Sequence, residues 1–472
     1  LMKLKTWETE TQEIRAKIAN IEDDALAGKK AFAVGQFPDD VKAMYHKPAN
    51  ERTPYEEQLA QLVERQVQAQ RRKQKVEDKL KDKTEQLTIY KNLKAKLIEL
   101  EKKKPKLPDA FVAVDISEKP ARTFIPVRTG KTEVEPAFLT LLGLPPPKIN
   151  PTKVSTGRRT ALAEWITRDD NPLSTRVIVN RVWQHHFGQG IVPTPNDFGT
   201  LGERPSHPEL LDWPSKKLIK NGWRLKPLHK LILTSATYRQ SSSATPELLV
   251  RDQANLLLAR GPRHRLDAEI VRDNALAVSG LLVEKIGGPS VFPYHPKGLW
   301  QELNNRPNYS RTYKQDKGEK LYRRSLYTYW KRTVPPPSMA TFDAPEREFC
   351  LVRRSRTNTP LQAFVMLHDP QFVEAARHLA ERMMSASDNP DGCIEHGFRL
   401  ATSRLPNNKE KVVLHRLFRE RLLFYRKDKK AAKAVLSVGE SIRKVNLSEP
   451  EQAAWTTVAR ALLNLSETIS KN

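Results

Sequence analysis

Cysteine is almost missing from this chain: Cys350 and Cys393 are the only two in 472 residues. A disulfide framework is excluded, and a single bridge needs the two Cα atoms within about 7 Å. No C-x-x-C-H haem attachment sequence occurs, and Cys393-Ile394-Glu395-His396 supplies one cysteine that reads as an ordinary helix-surface residue. No run approaches the roughly 20 apolar residues that a membrane-crossing helix needs, so no transmembrane segment is expected. The start, Leu1-Met2-Lys3-Leu4-Lys5, carries no apolar signal core. Because Leu precedes Met, the chain reads as a fragment whose upstream part, with any targeting signal, is missing. There is also no G-x-S-x-G elbow, P-loop, dinucleotide fingerprint or H-E-x-x-H spacing, so no motif writes a reaction into the sequence.

Positive charge is abundant: 81 Lys and Arg stand against 55 Asp and Glu, a formal net charge of +26. Such an excess attracts polyanions without regard to sequence. Much of it lies in the lysine-rich stretch up to Lys104 and in the run from Arg426 to Lys433. Both are interleaved with acids or lie on helices whose other face is apolar, which points to solvated helix faces. No nucleic-acid-binding motif accompanies the charge. Nucleic acid is therefore not expected as a partner, although a polyanion-binding basic protein stays open as a reading.

Periodicity predicts a mainly α protein with an N-terminal long helical hairpin, a short β connector and a multi-helical body. Ile14, Ile18 and Ile21 mark the first helix. Thr53-Pro54-Tyr55-Glu56 opens a second with a capping box, and an apolar seam from Leu59 to Leu100 continues it to Pro105. Such a pair of helices would project from the body as an antiparallel hairpin or serve as a partner-binding coiled coil. Phe111–Val114 and Thr123–Val127 are β-prone, and Leu326–Trp330 is the chief strand signal further on. Helix starts are expected at Asn171-Pro172, at Asp369-Pro370, and at capping boxes on Thr359 and Ser448. The boundaries read as 1–105 for the hairpin, 106–150 for the connector, 151–385 for a helical core and 386–472 for a C-terminal helical subdomain.

Three polar clusters stand inside apolar segments. In Asn171–Phe187, apolar residues surround most of the helix, which predicts burial. Asn180, Arg181, Gln184, His185 and His186 therefore need partners, which Asn196, Asp197, His207 or nearby acids would supply. The second cluster is Arg265, Asp267, Glu269, Arg272 and Asp273, with Asp267 as a helix cap. The third is Arg353, Arg354, Arg356 and Asn358, where arginines feeding a helix N-terminus would make an anion site. One reading is a network locking helices together, so that Arg181→Ala or Asp267→Ala would destabilise the fold sharply. A second is a pocket for an acidic or hydroxylated, glycan-like ligand, and a third is acid–base catalysis with His185, His186, Asp197 and Arg356 in one cleft. His185, His186, His207 and Asp197 are residue types that bind zinc, but no metal-site spacing supports them and no metal is expected.

The run NPLSTRVIVNRVWQHHFGQGIVPTPNDFGTLGERPSHPELLDW, with LHKLILTSATYRQSS, RHRLDAEIVRDNALAVSG, VPPPSMATFDAPEREFC, RRSRTNTPLQAFVMLHDPQFVEAARHLA and AAWTTVARALLNLSETI, resembles a known family. It is similar to the planctomycete-specific C-terminal domain of unknown function found in cytochrome-c-associated multidomain proteins. The likeness covers about residues 107–470, and residues 1–105 look like the tail of the companion domain. The resemblance implies an extracytoplasmic (periplasmic or secreted) location. It also implies a place in a cell-envelope redox or polysaccharide-handling system. Other envelope or secreted proteins would be partners through the hairpin, with a glycan as a further candidate. Haem c would belong to the upstream region, and no cofactor is assigned to this chain. The family supplies no catalytic residue.

Overall fold

The structure is a computed structural model that describes residues 2–71, 75–105, 113–115, 122–128, 130–146, 148–303, 311–443 and 447–471. It is mainly α, with twenty α-helices and two small two-stranded sheets among the described residues. The chain divides into two compact units, Leu1–Ser174 and Thr175–Asn472.

The first unit contains the expected helical hairpin. Helices Met2–Ala25, Ala27–Gly35 and Asp39–His46 form one arm, and Pro54–Arg71, Val76–Lys79 and Thr84–Glu101 form the other. Contacts between the arms follow the antiparallel order. Trp7 Nε1 donates to Leu100 O at 2.8 Å, Tyr90 OH to Glu22 at 2.8 Å and Tyr45 OH to Glu64 at 2.7 Å. Apolar seams hold the arms, one around Ile18, Leu80 and Tyr90, the other around Ala33, Val63 and Val67. The Thr53 capping box forms, with Thr53 N–H on Glu56 at 2.7 Å and Glu56 N–H on Thr53 Oγ1 at 3.3 Å.

The returning arm is not the continuous helix that the periodicity suggested. Between Ala69 and Val76 the sequence has no apolar residue, and it packs Arg71, Arg72, Lys73 and Lys75 together. Lys75 is not helical, and residues 80–83 form a further turn. Arg71 and Lys75 stand as like charges at i, i+4, and the seam offers nothing there to offset them. In the connector, Thr123–Val127 pairs antiparallel with Gly130–Val134. Of the β-prone Phe111–Val114 run, 111–112 lie outside the described residues and 113–114 are not strand. Asp115 instead receives Ser155 Oγ, Thr156 N–H, Thr156 Oγ1 and Arg159, all within 3.0 Å.

The second unit has a large core in which Pro370–Ala386 and Glu449–Leu463 lie centrally. Small residues (Ala375, Ala376 and Ala380 on one helix, Ala453, Ala454 and Ala459 on the other) are fully buried. They let the two backbones approach closely, so close packing rather than bulk fills this space. Phe418 stacks on Trp455 at 4.0 Å within the same core. A smaller core joins helices Ser174–Phe187, Pro208–Lys220 and Leu225–Leu233 through Val179, Leu211, Leu218 and Leu228. His264–Arg265 pairs antiparallel with Ser470–Lys471.

Several helix-start expectations need correction. Asp369 caps its helix through Gln371 N–H at 3.0 Å, as its Asp-Pro signature predicts. Thr359 and Ser448 make no side-chain cap. Their helices begin on backbone carbonyls, and Gln362 is drawn away to Arg265 and Thr341. Asp267 likewise gives only its carbonyl, to Ile270 and Val271 N–H. Leu326–Trp330 is not a strand: a 3-10 turn covers Ser325–Tyr327, and a single bridge joins Val291 to Thr328. Both cysteines are free, Cys350 exposed and Cys393 buried. No helix among the described residues is long and apolar enough to cross a membrane.

Candidate functional site

The helix Ser174–Phe187 begins with Asn171 Oδ1 accepting from Leu173 and Ser174 N–H, and it is buried along most of its surface. Asn180, with no exposed surface, donates its amide to Val192 O at 3.1 Å and accepts Val192 N–H at 2.8 Å. Gln184 donates to Val352 O at 3.1 Å. The partners of these amides are therefore backbone groups rather than Asn196, Asp197 or His207. Loops crossing the helix carry unpaired peptide groups, which a buried amide matches on both sides. Arg181, His185 and Asn196 are exposed, so Arg181 does not belong to the buried set. Asp197 turns back on Gly199 N–H at 2.7 Å, and His207 Nδ1 meets Ser206 Oγ at 3.0 Å. His186 Nε2 lies 2.8 Å from His229 Nδ1. The histidines and Asp197 thus have separate partners. Among the described residues no group of three or more His, Cys, Asp or Glu is placed to hold a metal.

The second and third clusters interlock. Arg354 grips Glu269 through bonds of 2.6 and 3.2 Å and lies 3.9 Å from Asp267. Burial pushes the Glu269 carboxyl up, but the Arg354 bonds and charge, its own backbone N–H and the Arg347 charge together outweigh it and hold the carboxyl below its ordinary range. Arg272 is buried and donates to Gln371, to Ser325 and to the carbonyls of Leu321 and Arg323. Asp273 accepts Ser325 N–H at 2.7 Å, and Arg265 donates to Gln362 at 2.8 Å. Arg353 and Asn358 are exposed. The arginines before Pro360 diverge instead of meeting at the helix N-terminus, because Arg354 turns to Glu269 while Arg356 donates to Gly188 O at 3.2 Å.

A further network escaped the sequence reading. Glu374, 1% exposed, accepts Tyr294 OH and Tyr322 OH at 2.9 Å, Ser441 N–H at 2.7 Å and Ser441 Oγ at 2.6 Å. Arg377 reaches Ser441 and Glu381, and Gln452 donates to Glu381 at 2.8 Å. His378 Nε2 lies 2.7 Å from Ser441 Oγ, which superficially suggests a Ser–His pair. The one hydroxyl proton of Ser441 points to Glu374, however, so the imidazole must donate to the oxygen. That is the reverse of an activated nucleophile. Glu374, Arg377, His378 and Glu381 stand at helical i, i+3, i+4 and i+7, a charged stripe on an otherwise apolar helix that the sequence does display.

A cavity of about 290 Å³ in the second unit opens where the helix Ser174–Phe187 ends. Trp183 and Phe187, stacked at 4.2 Å, line it together with Arg260, Arg263, His264 and Arg356. No Asp or Glu lines it. The Arg260 guanidinium is buried and donates to Asp252 O at 2.9 Å and Gln253 O at 2.8 Å, fixing the loop that forms the rim. In that loop Asn255 and Leu258 hold φ of +54°, a conformation that is costly for leucine. His264 Nδ1 is buried without a hydrogen-bond partner. Burial first, then the positive charges of Arg356, Lys471 and His185, draw the His264 imidazole down to about 4. Lys471, from the strand paired with His264, donates to His186 O at 2.7 Å and sits 3.6 Å from the Tyr238 ring centre.

Of the predicted residues, only Arg356 lines this cavity; His185 contributes charge nearby, and Asp197 has no part in it. His264, Arg263 and Lys471 were missed. For Arg263 and His264 the one visible signal is the basic run Arg260 to Arg265, which reads equally well as a solvated loop, and nothing in the sequence singles out Lys471.

In comparison with known proteins, a family model described as PSD1, protein of unknown function (DUF1553), matches residues 158–418, more than half of the chain. No curated protein and no solved structure matches the chain.

Proposed function

The chain belongs to the PSD1 family of proteins of unknown function (DUF1553), and we propose that it serves as a noncatalytic binding and structural module of an extracytoplasmic, cytochrome-c-associated protein. Its setting would be a cell-envelope redox or polysaccharide-handling system, as the likeness to the planctomycete-specific domain suggests. The observation that carries the noncatalytic part is the engagement of the acid–base residues. Glu269 is tied to Arg354, Asp273 to a backbone N–H, Asp197 to its own turn and Glu374 to four donors. The cavity at the end of helix Ser174–Phe187 is lined by cations without a carboxylate to act as base. Through its hairpin the module would dock other envelope or secreted proteins, with a glycan as the candidate small partner.

Two measurements test this reading. The purified chain is incubated with chromogenic glycosides, carboxylic esters, and phosphate and sulfate esters. No turnover above buffer is expected, and turnover that vanishes in His264→Gln would overturn the noncatalytic assignment. Antibody detection after fractionation of the source cells should place the natural protein outside the cytoplasm; a cytoplasmic pool would refute the location.

A further inference from the structure

We infer that the cavity at the end of helix Ser174–Phe187 is a binding site for an oxyanion (carboxylate, sulfate or phosphate) carried on a ligand no larger than about one sugar ring. Arg263 and Arg356, both exposed at the rim, bring two permanent charges to it, His264 adds a half-buried imidazole, and no acidic side chain lines the wall. A lone cationic patch on a surface would be solvated, but this one is concave and backed by stacked aromatic rings, so water is partly excluded and the charges act more strongly.

The geometry converges on Gly188. A Cβ at that position would come 2.9 Å from His264 Nδ1 and 3.3 Å from Arg356 Nη1, so ring and guanidinium close over a bare Cα held at φ +84°. A guanidinium has five N–H donors, of which Gly188 O takes one. His264 Nδ1, enclosed beside Gly188, has no hydrogen-bond partner within the chain, so its capacity is open to a ligand atom.

One feature of the fold opposes an anion here: the cavity lies at the C-terminal end of a helix, where the dipole carries about half a negative charge. Two cations already answer that end, Lys471 on His186 O and Arg356 on Gly188 O. Lys471 and Arg356 together outweigh that half charge, and the full charge of Arg263 is added to them. The pinned rim loop, with Leu258 at positive φ, presents the wall in advance, so little ordering accompanies binding.

This assignment deepens the binding reading by naming the ligand chemistry, and its test is independent of catalysis. Isothermal titration of the whole chain with sulfate, phosphate, acetate and glucuronate, at ionic strength held constant with chloride, should give saturable one-to-one binding for at least one of them. Glucose serves as the neutral control and should give none. Arg356→Gln and Arg263→Gln should each weaken binding at least tenfold, while Lys429→Gln, in the distant basic run, leaves it unchanged. Circular dichroism melts report whether either variant is unfolded, and the folded one decides. Absence of saturable binding to all four anions, or equal affinity in wild type and the folded variant, would overturn the site. A chain that binds sulfate through Arg356 and also turns over a substrate would sink the noncatalytic reading alone and leave the oxyanion site standing.

Discussion

The side chain of Asn180 completes the backbone of Val192 on both sides, giving its N–H to the carbonyl and taking the amide proton. An amide used in this way replaces a strand partner that the fold does not provide. Gly190 is tied to the same arrangement, since a Cβ there would meet both amide atoms of Asn180 under 3 Å. Asn180→Ala leaves a buried donor and acceptor unmatched, each costing about 1–3 kcal/mol. The expected loss is about 2–4 kcal/mol, read as a lower urea midpoint. A midpoint within experimental scatter of wild type would show that water replaces the amide.

Glu374 gathers four donors in a position 1% exposed. Removing it leaves two tyrosine hydroxyls and the Ser441 N–H and hydroxyl without their acceptor, and takes the carboxylate 3.8 Å from Arg377 out of a dry setting. Glu374→Ala should cost about 3–5 kcal/mol, the range for breaking a buried ionic network. Arg181→Ala, on an exposed face, should shift stability by less than about 0.5 kcal/mol. Urea unfolding of the two variants side by side checks the contrast.

Stability should also fall as pH drops from about 6.5 towards 4. His264 and His186 are both depressed to about 4, burial being the largest cause in each. The unfolded chain, with ordinary imidazoles near 6.5, takes up these protons first. Stability is therefore full above 6.5 and lost as pH descends to the folded value. Asp369, raised by burial, works in the opposite sense, so the comparison must be between wild type and a His186→Gln/His264→Gln double variant. The variant should have the flatter profile between pH 6.5 and 4.5 in denaturant titrations; parallel profiles would refute the assignment.

In the hairpin unit, Tyr90 is fully buried and donates to Glu22 at 2.8 Å. Tyr90→Phe keeps the packing and deletes this bond, which should cost about 0.5–1.5 kcal/mol. Loss of the hydroxyl should appear in the unfolding of the first unit and leave the second unit unaffected.

Much of the helical framework was legible because local chemistry decides it. The Thr53 box, the Asp369-Pro370 start and the buried helix Ser174–Phe187 each follow from a short signature. Thr359 and Ser448 carry equally good signatures without a side-chain cap, and at Thr359 the boxed glutamine has distant partners in Arg265 and Thr341. Tertiary partners can outbid a local bond of about 1 kcal/mol. The cavity was the least legible part. His264 and Arg356 are far apart in sequence and meet through Gly188, and neither sits in a pattern that distinguishes a wall from a solvated loop. Arg353, Arg354 and Arg356 were visible as a group, but their directions depend on Glu269 and Gly188, which only folding brings alongside.

The bond from Lys471 to the carbonyl of His186 spans 285 positions. A ribosome making this chain releases the cavity's floor long before the strand that pins His264 exists. Until then the C-terminal turn of Ser174–Phe187 lacks the lysine that answers its carbonyls, and His264 has no strand partner. Contacts of such range are slow to form and leave unfinished chains exposed. The second unit should therefore acquire its helices during synthesis and its cavity only afterwards, which makes chains stalled before residue 470 helical but unable to hold an anion.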